Sequence, residues 1–535
     1  MKKLYKLSIL MLLIVVVTGC KKYLDINNNP SVPQVVSAEL LLAPIQFQMT
    51  NGVSQDNRLI WKITQDQVGI STSFRYLVWE QHGYTAAVDD GGVVWRMNYV
   101  DLGLNLENLI NDAVKNKKYE YAGIGYAIKA WSFQQCTDLY GPIVLDEAFD
   151  ATKLSFNYQD QPDVYAKVRE WGYLSLKYLN MTSEKDYSGV LAGASGDQIY
   201  RGDKAKWKKF VYALFALQYS HLRNKPQFKS QYADSVIKFT NLSFANETES
   251  ATVNFTASGS DDTNPVGPNT GYLNSSFYGY PTTQILNYLT GGVRGIPRIE
   301  PTSSLDPRLS RMIPSSNEVN QLGDKIYQAA IPTQGGDNLR VPKVYGGIPS
   351  GSFAFTGRFI FADAARYPIM TYSQLQFAKA EAEFVKESMS AAYTSYINGI
   401  KGHMDFCNIY GRSYPSPLPI IGNIEINTYL TSSEVAQTAA GLTIADIMGQ
   451  KYITQWGWAG IEQWCDIRKY HYDPLVYKNY FQLGLGELFQ VNEGKYAYRF
   501  RPRYNSEYVW NAEALDKFGG LALDYMTKET WFSQQ

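Results

Sequence analysis

The feature that most constrains the fold of this chain is a run of apolar residues at helical spacing that begins near Trp95. Apolar side chains recur there at three- and four-residue steps, at Leu102, Leu106, Leu109, Ile110 and Ala113. A second run follows at once, with small residues interleaved among Tyr121, Ile124, Ile128 and Trp131. The spacing predicts two amphipathic helices, and the small residues predict that these helices approach each other closely as a pair.

Similar helical runs occur further along the chain, at 161–180, 205–223, 370–388 and 443–459. No clean period of about 34 residues relates them, so the repeats are degenerate. We therefore predict a mainly α fold, with tetratricopeptide-like helix pairs near 95–240 and 366–460. Trp95, Trp131 and Trp207 lie on helical faces, and we expect all three in the core.

The sequence loses its helical period between about 245 and 365 and becomes rich in Gly, Ser, Asn, Pro and Tyr. A shorter stretch at 73–92 has a similar irregular texture. Long irregular segments within a globular protein usually carry function. We expect one domain over 36–535, in which the helices form a scaffold and the part near 245–365 binds a ligand.

The first 20 residues are typical of an exported lipoprotein. Three lysines precede an apolar run over 7–17, whose 11 residues are too few to span a bilayer, which takes about 20. The run closes with Gly19-Cys20, which resembles a bacterial lipobox. We predict that residues 1–19 are a signal peptide, that Cys20 is lipidated, and that residues 20–35 are a tether.

Charge and motifs exclude several classes of function. The chain has 50 basic and 50 acidic side chains without a basic block, which argues against binding of nucleic acid. The 4 His are far apart, and the glycine-rich pairs lack the rest of a nucleotide-binding loop. We predict no cofactor and no transition-metal site. Cys136, Cys407 and Cys465 lie in predicted helices, and we expect buried free thiols.

Adjacent acids in loops are the remaining candidates for catalysis or for a metal. Asp89 and Asp90 form one such pair and Asp261 and Asp262 another. Adjacent carboxylates rarely converge on one bond, so Asp89 and Asp90 are weak candidates for a loop calcium site rather than for acid–base chemistry. A surface glycoside hydrolase that uses Asp90 or Asp262 remains an alternative.

Aromatic residues make up 14% of the chain and crowd the two irregular stretches. The candidate ligand-binding residues are Phe74, Tyr76, Trp79, Tyr84, Tyr278 and Tyr280. Rings beside Asn, Ser, Thr and Gly offer stacking faces together with hydrogen-bond partners, a combination that suits sugar rings or extended peptides. The aromatic pattern does not distinguish these two ligands.

Five short motifs occur in the order found in one known family. They are LYGPI at 139–143, DPRL at 306–309, RYPIMT at 366–371 with AKAEA at 378–382, QKYI at 450–453 with EQWCDIR at 462–468, and PRYNSE at 502–507. Together with the lipobox, they make the chain resemble the SusD/RagB outer-membrane lipoproteins of the Bacteroidetes from end to end.

This resemblance implies a SusD-like helical fold with an irregular second half, displayed at the cell surface on a lipid anchor in the outer membrane. It also implies a partner, a TonB-dependent outer-membrane barrel of the SusC type, over which the protein sits as a lid. Such a lid captures oligosaccharides, or in some branches oligopeptides, for import and is not an enzyme. The shared motifs are structural, so they assign no ligand-binding residue.

Overall fold

Helices connected by turns and irregular segments make up most of the described part of the chain. The computed structural model describes residues 36–69, 74–259, 262–268, 279–294, 305–316, 318–335, 341–344, 358–412 and 418–535, without the side chains of 74–76. The helices of the first half are α1 (Ala38–Ile63), α2 (Phe74–Glu80), α3 (Val93–Arg96), α4 (Gly103–Lys115), α5 (Tyr119–Tyr140), α6 (Gln161–Leu179), α7 (Ser188–Ala192), α8 (Lys204–His221) and α9 (Ala233–Leu242).

The second half contains α10 (Thr283–Leu289), α11 (Leu309–Met312), α12 (Tyr372–Val385), α13 (Met389–Ile409), α14 (Asn423–Leu430), α15 (Ile444–Gln455), α16 (Gly460–Lys469) and α17 (Ala512–Asp516). Short strands pair antiparallel: β1 (Gln67–Val68) with β5 (Tyr280–Pro281), β2 (Ile143–Val144) with β3 (Tyr158–Gln159), and β4 (Ala251–Val253) with β6 (Tyr367–Met370). The predicted mainly α fold is confirmed. None of the helices in the described ranges is long and apolar enough to cross a membrane.

Two helix pairs turn in the same way. Three residues connect α4 to α5 and three connect α12 to α13. The middle residue of each turn has a left-handed backbone, with φ 55° at Lys117 and 61° at Glu387. The following amide donates to a carbonyl of the preceding helix, at 2.8 Å from Lys118 and 2.9 Å from Ser388. This backbone geometry ends one helix and folds the next one back against it.

Small residues bring α5 close to both of its neighbours. A Cβ at Gly123 would lie 2.6 Å from Leu179 of α6, and a Cβ at Gly125 would lie 2.7 Å from Leu109 of α4. Both distances are shorter than carbon atoms tolerate, so only glycine permits this packing. The predicted close pairing of these helices is confirmed.

The stretch 73–92, predicted to be irregular, contains a helix. Residues Phe74–Glu80 form α2, which buries Val78 and Trp79 in the core. Burial of two large side chains stabilises these turns more than their weak local pattern suggests. Trp95, Trp131 and Trp207 are buried as predicted.

The three described cysteines, Cys136, Cys407 and Cys465, are buried free thiols, as predicted. Each lies on a different helix of the core. Burial raises the pKa of all three thiols above the usual value, so they are held in the neutral form.

A buried ionic network connects the first helices to the last ones. His221 at the end of α8 places Nε2 2.9 Å from the Glu462 carboxylate of α16 and Nδ1 3.1 Å from the Tyr165 hydroxyl. The same hydroxyl donates to Asp138 of α5 at 2.6 Å. Helices that are more than 200 residues apart in sequence are thereby joined through one imidazole.

The network continues through Lys469, whose Nζ lies 2.7 Å from Glu381 and 2.8 Å from Asp466. Lys451 contacts the same Asp466 at 2.8 Å. Burial alone would raise the pKa of Asp466, but the two lysines outweigh burial and hold this pKa below its usual value. Several of the motif residues found in the sequence therefore form the ionic core of the fold rather than a binding surface.

The aspartate-proline-arginine motif also contributes buried charges to the core of the fold. The Arg308 guanidinium donates to Asp306 through Nε at 2.9 Å and through Nη2 at 2.6 Å, and to Gln450 at 2.7 Å. All three side chains are buried. The bidentate Arg308–Asp306 pair and the bond from Arg308 to Gln450 hold the start of α11 against α15.

Candidate functional site

The early aromatic segment packs against the C-terminal part of the chain. The Trp79 side chain is only 1% exposed, and its ring lies 4.8 Å from the ring of Phe500. Gly91 has φ +78°, and a Cβ there would lie 2.8 Å from the Trp79 ring. A residue without a side chain is therefore needed where the segment after α2 passes over Trp79.

A cavity of about 130 Å³ lies next to Trp79. One wall is Trp79, Tyr84, Thr85, Ala86, Ala87, Val88 and Asp90, and the other is Arg501, Pro502, Tyr504, Tyr508 and Leu523. Trp79 Nε1 and Thr85 Oγ1 are buried and have no hydrogen-bond partner among the described residues. Both atoms are shielded from solvent behind the wall, so the rings and the Arg501 guanidinium provide the surface that a ligand can contact.

A row of rings and one guanidinium lines the cavity; we call it the Tyr84–Tyr508 row. The guanidinium carbon of Arg501 lies 4.3 Å from the centre of the Tyr84 ring and 4.7 Å from that of Tyr508. Tyr504 stacks on Tyr508 at 5.7 Å between centroids, with 13° between the planes. Contacts between a cation and ring faces keep such a row in place.

Hydrogen bonds to the backbone hold the row on the side away from Tyr84. The Tyr508 hydroxyl donates to Gly520 O at 2.8 Å, and Arg501 Nη1 donates to Ala522 O at 3.0 Å. Burial raises the pKa of Tyr508 above the usual value, so its hydroxyl is neutral. The row thus presents half-buried rings on a framework that is already fixed, which reduces the entropy lost on binding.

Asp89, a weak calcium candidate, connects the early segment to the C-terminal part of the chain. Its carboxylate accepts from the backbone and side-chain nitrogens of Asn505, each at 2.9 Å, and lies 2.9 Å from Arg503. These bonds fasten the loop after Tyr84 to the segment that carries Tyr504. Asp90 lines the cavity.

One group of three potential metal ligands converges among the described residues. Ligand atoms of Asp138, His221 and Cys465 lie within 4.8 Å of one another in the core. Arg468 donates to the Cys465 sulfur, and the Tyr165 hydroxyl donates to Asp138, so hydrogen bonds within the protein already engage this group.

The candidate aromatic residues are brought together only in part. Trp79 and Tyr84 share the cavity, whereas Tyr280 lies in β5, is 2% exposed and packs with Val68. The expected exposed loop rings are therefore buried at Trp79 and Tyr280, because each joins an element of the core. The side chains of Phe74 and Tyr76, all of Tyr278, and Cys20 lie outside the described residues.

Sequence reasoning missed the second wall of the cavity. Arg501, Tyr504 and Tyr508 belong to a segment as aromatic as the early one, and this segment ends at Trp510, which is 77% exposed. The density of rings over 496–510 was the available signal. The family motif in this segment carries no signal for a cavity, which forms only where the segment meets the early one in the fold.

Solved structures with the same fold are numerous. A crystal structure of a SusD/RagB family protein from Bacteroides thetaiotaomicron has a TM-score of 0.66 and 18% identity, over 93% of this chain and 99% of that one. A chitin-binding protein has a TM-score of 0.69 and 17% identity, over 93% and 100% of the two chains. A Bacteroidetes protein described as SusD-like has a TM-score of 0.69 and 15% identity, over 94% and 100%.

Comparison with curated protein sequences finds no significant match. The family model SusD-like, described as "Starch-binding associating with outer membrane", matches residues 28–483. The match covers most of the chain and agrees with the similarity of fold to SusD/RagB structures. The chain therefore belongs to the SusD-like family, a family of outer-membrane-associated binding proteins.

Proposed function

We propose that this protein is a lipid-anchored receptor at the cell surface that binds an oligosaccharide at the Tyr84–Tyr508 row. The observation that carries the proposal is the row itself, in which half-buried rings and the Arg501 guanidinium line one cavity. Flat apolar faces stack on sugar rings, while hydrogen-bond donors beside them bind hydroxyls. A structurally similar protein described as chitin-binding supports the same ligand class.

Calorimetry against chito-, malto- and xylo-oligosaccharides tests this site. Tyr84→Ala and Tyr508→Ala should each weaken binding about tenfold or more, since truncated aromatic anchors commonly cost more than about 1.4 kcal/mol. Tyr173→Ala is the matched control, because Tyr173 is 54% exposed on α6 and does not line the cavity. Wild-type affinity in both row variants would refute the site.

Oligopeptides are the second candidate ligand, favoured by one observation. The cavity places Arg501 and Asp90 in its wall, and opposite charges suit the two termini of a short peptide. A matched peptide panel in the same calorimeter separates the two ligand classes. Saturable binding of peptides without binding of any glycan would assign the peptide.

Binding, rather than hydrolysis, is the activity we propose. Asp90 is the one carboxylate among the described residues that line the cavity, whereas a glycosidase commonly needs a pair. The Asp262 carboxylate accepts from Thr256 and Ser258 and lines a different cavity. Release of product from a bound oligosaccharide on long incubation would contradict the proposal.

We further propose that the receptor is the lid of a TonB-dependent barrel of the SusC type. The predicted lipid anchor at Cys20 and the outer-membrane association of the family support this arrangement. Cys20→Ala should release the protein from purified outer membranes. Affinity purification of the wild type from gently solubilised membranes should recover the barrel, and recovery of the receptor alone would refute the lid.

A further inference from the structure

A second and larger cavity lies beside β4 and shares no lining residue with the first one. Its volume is about 660 Å³, which is within the range of small-ligand sites. Polar side chains dominate the wall, including the hydroxyls of Ser250, Thr252 and Tyr410. Three cationic side chains, Arg201, Lys206 and Arg366, are also part of it.

Arg366 is a half-buried cation whose hydrogen-bond partners among the described residues are all neutral. Its Nε donates to Thr252 Oγ1 at 2.6 Å, Nη2 to Thr252 O at 2.9 Å, and Nη1 to Asn254 Oδ1 at 3.1 Å. A guanidinium has five N–H groups, so these bonds leave two without an acceptor among the described residues. Burial lowers the pKa of Arg366, and the nearby Arg201 guanidinium lowers it further.

The carboxylates of the wall do not neutralise these cations. Asp197 accepts from five donors, among them Gly202 N at 2.8 Å and Trp207 Nε1 at 2.7 Å. Asp262 accepts from two neighbouring hydroxyls in its own turn. In the described part of the chain, no carboxylate oxygen lies within 4.0 Å of the side-chain nitrogens of Arg201, Lys206 or Arg366.

A half-buried cation without a counter-ion has lost part of its hydration, and an anion from outside offsets that cost. We propose that this cavity binds an oxyanion, a carboxylate or a sulfate ester, carried by a small polyhydroxy or amide compound. Arg366 forms the inner contact, Arg201 closes over the anion from the exposed rim, and the wall hydroxyls bind the neutral oxygens. This site is independent of the proposed function of the Tyr84–Tyr508 row.

Calorimetry with pairs of ligands that differ only in charge tests the proposal and separates the sources of the anion. The pairs are digalacturonate with galactobiose, a sulfated disaccharide with its desulfated form, and an N-acetylated dipeptide with its C-terminal amide. We expect saturable binding of at least one acid but not of its neutral partner, and weaker binding as salt rises.

Arg201→Gln is the decisive variant because the Arg201 side chain is exposed, so its loss should not disturb the fold. It should weaken binding of the acid about tenfold, the scale of one charge-assisted hydrogen bond. Lys185→Gln, an exposed cation away from the cavity, should bind like the wild type, and so should Tyr508→Ala. Arg366→Lys should also weaken binding, and its melting temperature separates this effect from unfolding.

Three results would overturn the proposal: no saturable binding of any acid at millimolar concentration, equal binding of an acid and its neutral partner, or unchanged affinity in Arg201→Gln. None of these results bears on the row, because the row is tested with neutral oligosaccharides and with different variants. Failure of the oxyanion site and failure of the proposed function are therefore distinguishable.

Discussion

Replacement of His221 tests the buried electrostatics of the core most directly. Its two ring nitrogens face Glu462 Oε2 at 2.9 Å and the hydroxyl of Tyr165 at 3.1 Å, and Asp138 Oδ2 lies 3.6 Å from Nδ1. Burial alone would lower the pKa of His221, but Glu462 and Asp138 outweigh burial and raise this pKa from 6.5 to about 9. We therefore expect an imidazolium at neutral pH.

The change in pKa sets the size of the effect. A rise from 6.5 to about 9 corresponds to about 3 kcal/mol of stability, since a tenfold change in proton affinity is about 1.4 kcal/mol. The folded pKa is the higher one, so this stability is fully present below pH 6.5 and is lost as the pH rises through about 9. His221→Gln, which is neutral at every pH, should be about 3 kcal/mol less stable than the wild type below pH 6.5, and the difference should shrink towards pH 9.

Urea unfolding of both proteins across this pH range measures the difference, with fluorescence and circular dichroism followed together to check that the transition is two-state. Proton NMR of the imidazole rings gives the pKa directly, and the variant identifies the His221 signal. His82 is an internal reference, because burial lowers its pKa to about 3. A His221 ring that titrates below pH 7, or a stability difference that does not change with pH, would refute the reasoning.

Lys469→Met should lower the free energy of unfolding by about 3–5 kcal/mol, because the buried Glu381 carboxylate loses its nearest cation and Asp466 keeps only Lys451. Lys229→Met at an exposed ion pair should leave the free energy of unfolding nearly unchanged, and equal melting temperatures of the two variants would contradict this reasoning. Gly399→Ala should lower the free energy of unfolding by about 1–3 kcal/mol, since the new Cβ would lie 2.6 Å from the ring of Phe377. Gly189→Ala is the control and should not destabilise the protein, because nothing lies within 4 Å of its Cβ. Thermal melts of the two variants test the packing of α12 on α13. The three described cysteines should resist alkylation by iodoacetamide in the native protein and react in urea, because they are buried and neutral. Mass spectrometry measures the labelling, and rapid labelling of the native protein would mean that the thiols are not buried.

Local sequence determined the helices that have strong periodicity. The run from Leu102 to Ala113 and the next one, with Trp131, appear in the structure as α4 and α5, because apolar residues on one face must be buried. The sequence did not predict the helix at Phe74–Glu80, because its periodicity is weak and burial of Trp79 in the tertiary structure stabilises it.

The charged residues of the motifs show a second limit of prediction from sequence, because their contacts are long-range. Their order along the chain identified the family, but their partners are far away in sequence, as with His221 and Glu462 or Lys469 and Glu381. No local rule pairs residues across such distances. Only the packing of α8, α12 and α16 against one another brings these charges close enough to interact.

The sequence by itself thus determined the secondary structure of the periodic segments, the predicted lipoprotein signal and the family resemblance, because each of these depends on neighbours within a few turns of the chain. The tertiary structure alone decided which rings face solvent. Tyr84 meets Arg501 and Tyr508 across more than 400 residues, while Trp79 and Tyr280 turn into the core. The physical reason is that burial of an aromatic side chain depends on the surface that packs against it, and distant segments supply that surface.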